Sequence, residues 1–130
     1  MLEADLIAYM TANLTGIAGG VHLGNVPQGP SVPAISVTRI SGSTPRTLGS
    51  VSLFSRADIQ IIVVGDERYA PVMTAANQLR DLLDGYKGAM GTTRVESLRC
   101  IADPADQSVV DGNKVIRALS LDFKVTYRAA

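Results

Sequence analysis

The stretch Ala118-Leu119-Ser120-Leu121-Asp122-Phe123-Lys124-Val125-Thr126-Tyr127 alternates apolar and polar residues without a break. Successive side chains on a strand point to opposite faces. Leu119, Leu121, Phe123, Val125 and Tyr127 therefore make a core face, and Ser120, Asp122, Lys124 and Thr126 a wet one. A strand with one dry and one wet face belongs to a sheet covered on one side, the usual state of an antiparallel sheet.

Working outward, residues 54–64 predict a second long strand, with Ala57, Ile59, Ile61 and Val63 on one face. Its other face starts polar, at Asp58 and Gln60, and turns apolar at Ile62 and Val64, which predicts a central strand buried on both sides at its far end. Ile35 and Val37 alternate with Ser36 and Thr38 over 33–41, and Pro33 stands at the first position, where its missing N–H is tolerated. Residues 93–102 predict another strand, and 21–27 a short extended segment closed by a Pro27-Gln28-Gly29-Pro30 turn.

Two segments carry a helical period instead. Leu2, Leu6, Met10 and Leu14 recur every four residues over 1–17, before Gly16, Gly19 and Gly20 end the pattern. Val72, Ala76, Leu79 and Leu83 form a stripe over 68–84, with Pro71 in the first turn and Gly85 after the last. The expected fold is α+β in the order α-β-β-β-α-β-β: a mostly antiparallel five-stranded sheet with two helices packed on one face, in one domain spanning 1–130. Residues 41–52, rich in Gly, Ser, Thr and Pro, read as a long hairpin loop or arm, and 103–113 as a polar loop.

Composition narrows the function classes. Hydrophobic residues make up 46% and charged residues 18% of the 130, enough apolar material for a core. Twelve basic and twelve acidic side chains cancel, so no basic excess suggests a phosphate-gripping protein, and self-association is the easier expectation. The N-terminus has no basic n-region and the chain has no apolar run near the 18–20 residues a spanning helix needs, so no secretory signal or membrane partner is expected.

Candidate chemistry is sparse. A single cysteine, Cys100, forbids an intrachain disulfide and reads as a packed thiol in a strand. His22 is the sole histidine, without Cys or Asp/Glu neighbours at the spacing of a zinc site. Asp103, Asp106 and Asp111 around Pro104 lack the dense ligand pattern of a calcium loop, and Gly16, Gly19 and Gly20 follow a helix without the Gly-Lys-Ser/Thr of a phosphate loop. No cofactor, metal or catalytic group is expected. Arg39, Arg46 and Arg56 bracket the 41–52 loop, where they suit a partner's carboxylates, a passing DNA backbone or a solvated hairpin.

The run Val21-His22-Leu23-Gly24-Asn25-Val26-Pro27-Gln28-Gly29-Pro30, followed by Val32-Pro33-Ala34-Ile35-Ser36-Val37, resembles phage tail-completion and tail-terminator proteins. The resemblance continues through Ala57–Val64, the helix around Ala75–Leu83 and the closing strand Ala118–Tyr127, and so covers essentially the whole chain in order and spacing. Its most distinctive piece is the Pro27-Gln28-Gly29 turn; a departure is Val63-Val64-Gly65, where relatives often carry an aromatic. The resemblance implies a structural, non-enzymatic virion protein of the tail or neck, assembled in the host cytoplasm. Such a protein caps the last ring of the major tail-tube protein, ends tube growth and presents a surface to head-completion or connector proteins. It further implies a hexameric homo-oligomer around a channel that DNA crosses without specific binding. On that view Arg39, Arg46, Thr47, Leu48, Phe54 and Arg56 are candidate contacts to a neighbouring subunit or the tube. Another neck component, or a small-molecule-binding regulatory domain, are the alternative readings.

Overall fold

The computed structural model describes residues 2–17, 19–24, 33–43, 46–47, 50–51, 55–65, 69–101, 105–106, 109–111 and 114–129. The elements in chain order are α1 (Leu2–Asn13), β1 (Val21–Leu23), β2 (Ala34–Ser43), β3 (Arg46–Thr47), β4 (Ser50–Val51), β5 (Ser55–Val64) and α2 (Tyr69–Leu83). They continue with β6 (Gly88–Met90), β7 (Thr93–Cys100), β8 (Ala105–Asp106), β9 (Val109–Asp111), β10 (Lys114–Ile116) and β11 (Ala118–Ala129).

The closing strand organises the sheet. β11 pairs antiparallel with β5 over ten registered positions, Ala118 opposite Val64 through Tyr127 opposite Ser55. On its other side β11 pairs antiparallel with β7, with a register shift between Thr126 and Tyr127. The main sheet runs β1-β2-β5-β11-β7-β6, and β8 adds a seventh strand against β11. Seven strands replace the five expected, and β1 lies parallel to β2 rather than antiparallel. The extra strands are two or three residues long, too short for an alternating pattern to register. Among the described residues of the 41–52 segment, β2 continues to Ser43 through a bulge between Arg39 and Ser41, and β3 pairs with β4. Residues 103–113 likewise contain β8 and β9, the latter pairing with β10.

One core underlies the sheet. On β5, Ala57, Ile59, Ile61 and Val63 are buried; on β11, Leu119, Leu121, Phe123 and Val125 are buried beside them. Leu2, Leu6 and Met10 of α1 and Val72, Ala76, Leu79 and Leu83 of α2 close over the same cluster. The two helical stripes read from the sequence are thus the faces that bury. Both helices cover one side of the sheet; on the other, Ile62 and Val64 are half-buried rather than fully so.

Helix termini are set by local chemistry. α1 ends four residues earlier than its pattern suggests: the Leu14 amide donates to the Met10 carbonyl (2.9 Å) and Gly16 then turns at φ 76°. After α2, the Gly85 amide donates to the Leu98 carbonyl (2.7 Å), and the Asp84 carboxylate accepts the Cys100 N–H (2.9 Å). Those two bonds cap the edge of β7 where β6 no longer covers it, satisfying ladder groups that would otherwise template aggregation.

At its other end α1 is latched to the β6–β7 turn. The Asp5 carboxylate accepts the hydroxyls of Thr93 (2.6 Å) and Thr92 (2.8 Å). The Thr93 hydrogen bond, with help from Thr92 and against the cost of desolvation, holds the Asp5 pKa below 3.8. A carboxyl whose folded pKa is depressed contributes stability above its unfolded value of about 3.9, and that contribution is lost as pH falls through the folded value. Asp5→Asn should therefore flatten the acid limb of the stability curve below about pH 4. Urea midpoints measured across that range for both proteins check this; parallel curves would refute the latch.

Candidate functional site

Alternation along β5, β11 and β7 sends a second set of side chains to the face the helices leave open. Three of these are exposed cations: Arg56 on β5, Lys124 on β11 and Arg99 on β7. Lys124 stands directly opposite Asp58 on one side and Arg99 on the other, and Thr126 stands opposite Arg56 and Ser97. Directly opposed side chains have Cβ atoms about 4.5–5.5 Å apart, so Lys124 and Arg99 are immediate neighbours, and Arg56 lies two positions along β5 from Asp58. The three cations share an open indentation of about 540 Å³ with Gly42, Asp58 and Ser97. Gly42 sits at its rim, where an added Cβ would lie 3.3 Å from the Arg56 carbonyl oxygen.

The neighbouring row is different in character. Asp122 pairs with Gln60, and Gln60 with Thr38. Asp122 Oδ1 is buried and has no hydrogen-bond partner among the described residues. Two large apolar residues flank the open face. Ile40 is 59% exposed at the β2 bulge, and Ile101 is 50% exposed just past β7. The Ile101 amide donates to the Asp122 carbonyl (3.0 Å). At the end of the β7–β11 pair, Arg94 and Arg128 face each other, and the Glu96 carboxylate accepts from both (3.1 and 3.0 Å). Like charges directly opposed are unfavourable, and Glu96 offsets that.

The residues expected at an interface divide. Arg56 belongs to the cation cluster. Arg39 does not: it pairs with Ile59 in register and reaches the helix side, where it forms an ion pair with buried Glu3. It also donates to the Tyr127 hydroxyl (2.9 Å), with its guanidinium 5.8 Å from the Tyr127 ring centroid. Arg46 and Thr47 lie in β3, their side chains outside the described residues, as are Leu48 and Phe54 altogether. Lys124 and Arg99 were not singled out from the sequence. Their signal was present, since both occupy polar positions of strongly alternating strands, but only the pairing of β11 with β7 sets them side by side.

Arg39 therefore holds the fold together. Removing it leaves the Glu3 carboxylate buried without its cation, a change that is costly for a dry pair and cheaper here because Arg39 is 37% exposed. Arg39→Met should lower stability by about 1–2 kcal/mol, and adding Glu3→Gln should restore part of it. Denaturant titration of the single and double variants checks both statements.

The remaining candidates are accounted for locally. His22 Nε2 donates to the Gly19 carbonyl (2.6 Å), and Cys100 is half-buried against the core. Among the described residues no group of three or more His, Cys, Asp or Glu side chains converges as a metal site. Asp106 is exposed, while Asp103 and the side chain of Asp111 lie outside the described residues. No described helix is long and apolar enough to cross a membrane.

No family model matches the chain, and no curated protein matches it. Solved structures do. A chain of the virion of a native gene transfer agent particle superposes with a TM-score of 0.64 at 17% identity, covering 96% of this chain and 94% of that one. A second solved protein superposes with a TM-score of 0.55 at 16% identity, covering 95% and 89% respectively. At such identities the likeness is one of fold, extending from end to end of the domain.

Proposed function

We propose that this chain is a structural, non-enzymatic protein of a phage-type virion, and specifically the subunit of a ring that caps the tail tube and joins it to the head. The observation that carries the virion role is the superposition along 96% of the chain onto a virion component of nearly equal length. The tail-terminator role rests on the sequence resemblance through the Pro27-Gln28-Gly29 turn and the segments after it. A hexamer around a DNA channel follows from that role, with the major tail-tube protein on one side and head-completion or connector proteins on the other. A formal net charge of zero suits a conduit, because strong phosphate contacts would retard DNA passage.

Tube growth tests the role directly. Purified protein added to polymerising tail-tube subunits from the same source should bind tube ends and halt elongation, giving shorter tubes with capped tips in negative stain. Tubes that lengthen unchanged and carry no cap would contradict the terminator role. Deleting residues 43–51 tests this segment as the tube contact: uncapped tubes are expected, and normal capping by the deletion variant would refute that assignment.

A further inference from the structure

We propose that the open face of the sheet is a socket for the exposed stripe of α2 from a second copy of this chain, so that one contact, repeated head to tail, builds the ring. This inference rests on the ring reading above and names its two surfaces.

The socket is the row that crosses four strands, Ser41 on β2, Asp58 on β5, Lys124 on β11 and Arg99 on β7, with Ile40 exposed beside it at the β2 bulge. It is basic at the β11–β7 side, where Lys124 and Arg99 are exposed, and apolar at the β2 side, where Ile40 is exposed. The plug carries the complementary characters, apolar at one end and acidic at the other, in the matching order. Along the outer side of α2, Met73, Asn77 and Asp81 are exposed at four-residue intervals, placing them in one line. Met73 is apolar and 37% exposed; Asp81 is acidic, and the stripe contains no base.

Lengths agree as well as chemistry. From Met73 to Asp81 is eight residues of helix, about 12 Å at 1.5 Å per residue. From β2 to β7 is three strand spacings, about 14 Å. A helix laid across the strands thus sets Met73 near Ile40 while Asp81 reaches Lys124 and Arg99. The two surfaces lie on opposite sides of the subunit, because α2 packs its Val72, Ala76, Leu79 and Leu83 against the covered face. Such a contact is heterologous, and it closes into a ring where the rotation per subunit permits. A nucleic-acid strand fits the socket less well. The row holds a carboxylate among its cations and ends at an exposed isoleucine, neither of which a phosphate track uses.

The test uses the full chain with three variants: Arg99→Glu/Lys124→Glu in the socket, Asp81→Lys in the plug, and the triple charge exchange. Circular dichroism and urea midpoints first confirm that each is folded; Met73→Asp serves as a second plug variant of different chemistry. Light scattering with wild-type protein should show rings. Each single-surface variant should raise the assembly midpoint concentration at least about tenfold, and the triple exchange should recover most of it. Mixing the socket variant with the Asp81→Lys variant should restore rings of alternating subunits, since every plug then meets a socket of opposite charge; a mixture that assembles no better than either variant alone would overturn the pairing. If wild-type protein forms rings and all variants form them equally well, the socket is misplaced and the ring reading stands. If wild-type protein stays monomeric even with tube ends, the ring reading itself fails. If the socket variant keeps its ring but loses retention of duplex DNA, the face is a phosphate contact and the proposal is overturned.

Discussion

Phe123→Ala is expected to lower stability by about 3–5 kcal/mol, the range for truncating a buried aromatic. Phe123 is 1% exposed at the middle of β11, with Ile59 on β5 and Cys100 on β7 as its cross-strand partners. The chain has two phenylalanines and no tryptophan, so Val, Ile, Leu and Ala supply most of the core and few large side chains are present to collapse into a gap. The cavity would open where the sheet meets the helices, weakening the support for every strand of the open face. Chemical denaturation checks it: a loss under about 1 kcal/mol would mean that the site repacks and that Phe123 is not central.

Gly65→Ala carries the second large effect, by overfilling rather than emptying. Gly65 is buried between the end of β5 and the start of α2, and its amide donates to the Arg117 carbonyl (2.7 Å). A Cβ there would penetrate Val72 Cγ2. Val72 is itself fully buried, so the helix must shift or the β5–α2 junction must open. Overpacking of this kind costs about 1–3 kcal/mol. Gly65→Ala combined with Val72→Ala, which removes the clashing methyl groups, should recover part of the loss. A double variant no more stable than Gly65→Ala alone would contradict the packing argument. The same contact gives a physical reason for a glycine at position 65: α2 approaches too closely here for any side chain.

These residues also show how far the sequence could be read. β5 and β11 were legible because each is ten or more residues long and its alternation is uninterrupted, and α2 because its apolar stripe matches the helical period. β1 was legible as an extended segment but not as a parallel neighbour of β2, because pairing direction leaves no trace in three residues. β6 and β8 are shorter than the period that would reveal them. The candidate site was legible only in part. Arg56 could be picked out as a polar position beside a long loop. Arg39 could be picked out on the same grounds, but its ion pair with buried Glu3 on the helix side could not. Lys124 and Arg99 lie twenty-five positions apart in sequence and meet only through strand pairing. That is why a cluster spread over three strands escaped notice while a cluster near one loop did not.

A neutral chain proposed to work as one subunit of a closed ring must change mass when it assembles. Solution mass, measured by light scattering across a range of protein concentrations with and without tail-tube ends, tests it most directly. The expected result is a discrete six-subunit species, populated at high concentration or on contact with tube ends. A protein that stays monomeric under both conditions would contradict it.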